Sequence, residues 1–174
     1  GADVLVGTRR RDVICGFGGN DRISGLGRAD VLRGGGGNDA MYGGDGNDVL
    51  IGGGGRDFLQ GNTGSDVLRG GGRRDKLAGG FANDTLKGGA KADRGMGGQG
   101  DDIILGGDGN DRLAGGRDND TITGGPGSDR MLGRDGDDTL DGVDTVSGND
   151  VVRGMAGTDT CTADVGDTIG TCEL

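Results

Sequence analysis

Gly43-Gly44-Asp45-Gly46-Asn47-Asp48-Val49-Leu50-Ile51 is nine residues long, and most of the chain is a variation on it. Gly106-Gly107-Asp108-Gly109-Asn110-Asp111-Arg112-Leu113-Ala114 is a near copy, and Gly124-Gly125-Pro126-Gly127-Ser128-Asp129-Arg130-Met131-Leu132 is another. The shared pattern is GGxGxDxUx, with U a large apolar residue. The sixth position works as a ruler. It falls on Asp3, Asp12, Asp21, Asp30, Asp39, Asp48, Asp57, Asp66, Asp75, Asp84, Asp93, Asp102, Asp111, Asp120, Asp129 and Asp138, a spacing of nine with no slip. Random drift of a low-complexity segment does not hold such a register, and a fixed short period is the mark of a repeat architecture.

Two residues after each of these Asp stands the apolar position, from Leu5 and Ile14 through Leu50 and Leu59 to Met131 and Leu140. Gly95 breaks the rule, and the adjacent Met96 is expected to fill the gap. Each repeat has a Gly-rich half and a short extended half in which side chains alternate between faces. The apolar residue points one way. Its neighbours, often charged, as at Arg22, Arg33, Lys76, Lys87 and Arg112, point to water. The pattern predicts strands of about three residues joined by six-residue turns. Two repeats make one coil of 18 residues, and the coils stack two short parallel sheets back to back around a thin apolar seam. Each coil needs its neighbours to cover that seam. The register changes after Asp138, with matches at Asp150, Asp159 and Asp167. The extra residues around Asp141-Gly142-Val143-Asp144 must bulge from the stack or end it. Residues 1–141 are therefore expected to form the repeat solenoid, and 142–174 degenerate repeats with an irregular C-terminal cap.

Composition agrees with this unusual core. Of 174 residues 47 are Gly, aromatics make up 2%, and one Pro is present, so a conventional packed interior is not expected. The acidic residues are 28 Asp and one Glu, a bias that places carboxylates in turns rather than on a merely solvated surface. A net charge of −10 makes nucleic acid a poor partner. No run of 18 apolar residues provides a membrane span. Cys161 and Cys172 are expected to form a disulfide closing the end of the stack. Cys15 is left over, either free or paired upstream of Gly1. The chain opens part-way through a repeat, so a region upstream is expected.

Each coil offers only two large side chains to its seam, and stacking in register sets Asp above Asp along each edge. A hard cation relieves both problems. Calcium takes 6–8 oxygens from carboxylates and backbone carbonyls in flexible geometry, and Gly turns let carbonyls converge. No His is present and Cys are few, which argues against zinc and other transition metals. An Asx-turn, each carboxylate capping its own backbone, would explain single Asp residues but not a ladder of them.

Tandem GGxGxDxUx resembles the RTX (repeats-in-toxin) family, whose repeats form an all-β parallel β-roll that binds Ca²⁺ in its turns. The resemblance covers about residues 1–141. It implies that each ion lies between one turn and the turn a coil further on along the same edge. Carried over, the intact pairs are Asp21 with Asp39, Asp39 with Asp57, and Asp111 with Asp129 on one edge. On the other they are Asp48 with Asp66, Asp120 with Asp138, and, less well, Asp102 with Asp120. The Gly two before the Asp is replaced by Arg10, Arg28, Arg73, Ala82, Lys91 and Asp118. A side chain there resists a left-handed turn and a cation opposes Ca²⁺, which counts against sites flanked by Asp12, Asp30, Asp75 and Asp93. Such an Arg either bridges stacked carboxylates in place of an ion or is simply solvated. The resemblance implies an exported bacterial protein, extracellular, ordered by calcium outside the cell. Export is expected by type I secretion, although its C-terminal signal is not evident, or through a cleaved N-terminal signal. No nucleophile with a base is visible, so the chain is not expected to be an enzyme. It is read as a secreted calcium-binding module, with the tail of a larger secreted enzyme or a structural or adhesive surface protein as alternatives. No macromolecular partner is indicated.

Overall fold

The structure is a computed structural model. It describes residues 1–144 and 149–172. Its strands are β1 (Val4–Val6), β2 (Val13–Cys15), β3 (Arg22–Gly27), β4 (Val31–Gly36), β5 (Ala40–Asp45), β6 (Val49–Gly54), β7 (Phe58–Thr63), β8 (Val67–Gly72), β9 (Lys76–Phe81), β10 (Thr85–Ala90), β11 (Arg94–Gln99), β12 (Ile103–Asp108), β13 (Arg112–Arg117), β14 (Thr121–Thr123), β15 (Arg130–Asp135), β16 (Thr139–Gly142), β17 (Val151–Ala156), β18 (Thr160–Ala163) and β19 (Thr168–Gly170). Odd strands form one sheet in the order β1-β3-β5 through to β19, and even strands form the other from β2 to β18. Pairing is parallel, each strand against the strand one coil away, with Leu50↔Leu68 and Leu59↔Leu77 in register. The chain is thus an all-β parallel solenoid with an 18-residue coil.

The apolar position behaves as its spacing requires. Ile23, Leu32, Met41, Leu50, Leu59 and Leu68 are fully buried, and the seam continues through Leu86, Ile122 and Leu140 to Val152 and Cys161. Flanking residues stay half-buried or exposed, as in the pattern of β6, where Leu50 is buried between Val49 and Ile51. Two details differ from expectation. Most strands run six residues instead of three, because interstrand pairing continues into the Gly-rich half, as in Gly53↔Gly71 and Gly54↔Gly72. Met96 does not fill the gap at Gly95, since it lies on the outer face and is 46% exposed. Ile104 and Leu113 close the seam there instead, leaving only 3.2 and 3.3 Å to where a Cβ on Gly95 would stand. Strand alternation decides this: a residue beside the apolar position necessarily faces the other way.

The stack does not end at the extra residues after Asp138. The step from Asp129 to Asp150 spans 21 residues instead of 18, and β17, β18 and β19 then continue both sheets. Part of the 142–174 segment, residues 145–148 and 173–174, lies outside the described residues. Cys161 and Cys172 form the expected disulfide, joining β18 to the segment after β19 at the C-terminal end of the seam. Cys15 is a free thiol in β2.

Candidate metal centre

Each Gly-rich half starts four residues after one ladder Asp and ends at the next, so it overlaps the end of the strand. Its second and fourth positions have positive φ, as at Gly53 (106°) and Gly55 (149°), a conformation glycine adopts without Cβ strain. Replacing the fourth-position Gly keeps φ positive but draws it in from the 110–152° of the glycines found there. Arg28, Arg73, Ala82, Lys91 and Asp118 all keep φ between 72° and 81°. A non-Gly residue there carries a strain of roughly 1–3 kcal/mol. Arg10 is the exception: its N–H donates to Thr8 Oγ1, and the turn before Asp12 is built differently.

The ladder Asp are buried, from Asp21 to Asp138 and on to Asp150 and Asp159. Each side chain reaches back one coil. Asp39 N–H donates to Asp57 Oδ1 at 2.8 Å, Asp48 N–H to Asp66 Oδ1 at 2.7 Å, and Asp111 N–H to Asp129 Oδ1 at 2.8 Å. The same bond joins Asp21 to Asp39, Asp102 to Asp120, and Asp120 to Asp138. The carboxylates therefore cap their neighbours' backbone, not their own as an Asx-turn would. The two edges separate as the resemblance implies.

A second ladder, not anticipated from the sequence, runs the other way. Asn38 N–H donates to Asn20 Oδ1, Arg56 N–H to Asn38 Oδ1, and Ser65 N–H to Asn47 Oδ1. Here the side chain reaches forward one coil. The visible signal was the recurrent Asn immediately before the Asp.

The other carboxylate oxygen defines the site. Oδ2 of all ten candidates, Asp21, Asp39, Asp48, Asp57, Asp66, Asp102, Asp111, Asp120, Asp129 and Asp138, is buried without a hydrogen-bond partner. So is Oδ2 of Asp30, Asp75, Asp84, Asp93, Asp150 and Asp159. A buried polar atom left unsatisfied costs about 1–3 kcal/mol, more if charged, so a row of them calls for a partner. The space beside each is held open by glycine. A Cβ on Gly52 would lie 2.5 Å from Asp57 Oδ2 and 2.7 Å from the Gly70 carbonyl oxygen, which belongs to the next coil. Gly25, Gly34, Gly43 and Gly61 show the same arrangement. Oxygens from two successive turns thus face one small space.

Electrostatics point the same way. Burial pushes Asp48 and Asp57 up to about 6, Asp66, Asp75, Asp93, Asp120 and Asp129 to about 7, and Asp84 to about 8. The N–H bond from the preceding Asp opposes the rise, and in most cases its carboxylate adds to it. The cations at the substituted turn position do not supply the counter-charge, and Arg74 only partly offsets the rise at Asp93. Arg28, Arg73 and Lys91 are exposed while Oδ2 of Asp30, Asp75 and Asp93 remains unpartnered, so the bridging alternative is not realised. Among the described residues, no three acidic, His or Cys side chains converge on one point. A cation in these turns must draw most of its oxygens from backbone carbonyls, which suits calcium and excludes a zinc-type donor set.

A parallel β-solenoid with a ladder of buried carboxylates over glycine turns belongs to the calcium-binding repeat class of proteins. The family profile described as RTX calcium-binding nonapeptide repeat matches residues 1–27, 16–50, 24–59, 60–94, 87–122, 115–144 and 143–169, so the chain belongs to that family. No curated protein matches the chain as a relative.

Proposed function

We propose that this chain is a secreted calcium-binding module whose roll is completed or stabilised when several Ca²⁺ ions enter its turns. The observation that supports it is the row of buried, unpartnered Asp Oδ2 atoms, each sharing a glycine-lined space with a carbonyl of the next coil. Asp21, Asp39, Asp48, Asp57, Asp66, Asp102, Asp111, Asp120, Asp129 and Asp138 are the proposed donors. Asp30, Asp75, Asp84 and Asp93 share the geometry and are held back only by the side chains in their turns. Residues 1–141 form the binding array and 142–174 its degenerate continuation and cap. The role is structural, not catalytic. A ligand that binds only the folded form stabilises it by mass action, so the roll orders where calcium is plentiful, outside the cell.

Far-ultraviolet circular dichroism during a calcium titration, with magnesium as control, tests this reading. A cooperative gain of β signal with calcium, and none with magnesium, is expected. Full structure in chelator at neutral pH, unchanged by calcium, refutes it.

A further inference from the structure

The outer faces of the two sheets differ in chemistry. On the odd sheet, Lys76, Arg94, Arg112 and Arg130 occupy the same position in consecutive coils and are paired in register. All four are exposed. At the parallel-strand spacing of about 4.8 Å they form a straight cationic row about 14 Å long. Of the four strands that carry the row, β9, β11 and β13 contain no carboxylate, and β15 has one, Asp135, at its far end. Like charges directly opposite on neighbouring strands are destabilising, so an anion laid along the row would relieve their repulsion. At the other end of the same strands, about 13 Å away, lies a groove. Gly80, Gly98 and Gly116 contribute to its lining, beside Phe81, Gln99 and Arg117. Phe81 is 55% exposed. Asp135 stands at the end of this wall.

We infer that the outer face of the odd sheet binds a linear acidic polysaccharide laid along the stack. The cationic row takes its carboxylates or sulfates. Gln99 and Gln60 offer amides to its hydroxyls, and Phe81 offers a ring face to a sugar. The exposed apolar side chains of the strands that carry the row, Phe81 and Met96, stand among the cations and glutamines, so anionic vesicles are the comparison that separates a lipid surface from a glycan. Duplex phosphates follow a helical path that a straight row meets only briefly. The inference rests on the calcium reading in one respect. The row residues directly follow ladder Asp75, Asp93, Asp111 and Asp129. Unneutralised, those carboxylates oppose an anionic ligand. Each Ca²⁺ in the turns offsets two units of the formal −10 of the chain. Calcium in the turns therefore opens the face to polyanions.

The test uses fluorescence anisotropy of a labelled galacturonate oligomer with the whole chain in calcium. A neutral glucan oligomer, a DNA duplex and anionic phosphatidylserine vesicles are the comparisons. The variant Arg94→Glu/Arg112→Glu is set against Arg33→Glu/Arg69→Glu, which makes the same charge change on the even sheet. The first should weaken galacturonate binding by at least roughly tenfold and the second by less than about threefold. Equal losses in both variants overturn the inference, as do equal binding of the neutral glucan or stronger binding of duplex or vesicles. Circular dichroism of each variant in calcium verifies that the roll is intact, and it separates the two readings. A calcium-ordered roll that ignores galacturonate refutes this face alone. Binding on the row with no structural response to calcium refutes the calcium reading alone.

Discussion

Replacing Asp66 by Asn should have opposite effects with and without calcium. The Asp66 carboxyl is moved from 3.8 to about 7, chiefly by burial. The ionised fold is therefore disfavoured by about 4 kcal/mol relative to the unfolded chain once the pH exceeds 7. Because the folded pKa lies above the unfolded one, protonation stabilises the fold fully below about 4, and this stability is lost as pH rises through about 7. An amide at this position keeps the acceptor that Asp48 N–H uses at 2.7 Å. Its NH₂ group meets the Gly79 carbonyl across the space above Gly61, where Gly79 O lies 2.8 Å from an ideal Cβ. In chelator at pH 8, Asp66→Asn should raise stability by up to about 4 kcal/mol, read as increased β signal and a higher urea midpoint. At pH 4 the gain should vanish, because the wild-type carboxyl is already neutral. In saturating calcium the sign should invert, since an amide brings no charge to the ion. A variant that is less stable than wild type in chelator at pH 8, or whose advantage is independent of pH, would refute the account of a charge awaiting a cation.

Other outcomes follow from the same structure. Calcium addition near pH 7 in weak buffer should release protons, because the ladder Asp raised to about 7 must ionise to bind; a pH electrode showing none would contradict those shifts. Gly52→Ala sets a Cβ 2.5 Å from Asp57 Oδ2 and 2.7 Å from Gly70 O, so calorimetry should count about one ion fewer with the rest of the stack folded. Leu59→Ala, at a fully buried seam position, should cost about 2–5 kcal/mol, whereas Met96→Ala on the outer face should be nearly neutral in the same urea melt. Reducing the Cys161–Cys172 disulfide, which spans 11 residues, should remove about 3 kcal/mol of stability from the last coils. Hydrogen exchange should show the loss around β17–β19 and leave β5–β9 protected.

The interior was legible because one residue type recurs at one spacing: sixteen Asp set nine apart fix the coil, and the apolar residue two positions later fixes the seam. The turns were legible in outline. A left-handed glycine was expected, and Arg28, Arg73 and Lys91 were expected to disturb it, yet the coils on either side hold the backbone and those turns accept the strain. The Met96 reading failed because alternation places neighbours on opposite faces whatever their hydrophobicity. The forward Asn ladder was not read, because which coil a side chain reaches toward depends on three-dimensional stagger, not on spacing. The contrast between the two outer faces was written in the sequence at a period of 18, but the stronger period of nine concealed it.

These two periods make the interior and the surface respond differently to changes in length. A deletion of nine residues leaves every Asp over an Asp and every apolar residue in the seam, because both edges carry the same pattern. On the outside the same deletion exchanges the sheets for everything downstream. Made just before Lys76, it would place the row from Lys76 to Arg130 in line with Val31 and Val49 instead of Phe58. A deletion of 18 residues shortens the stack by one coil and keeps each face continuous. The core thus counts single repeats, while whatever touches the surface counts them in pairs, so lengthening or shortening in whole coils changes the reach of a face without changing its identity.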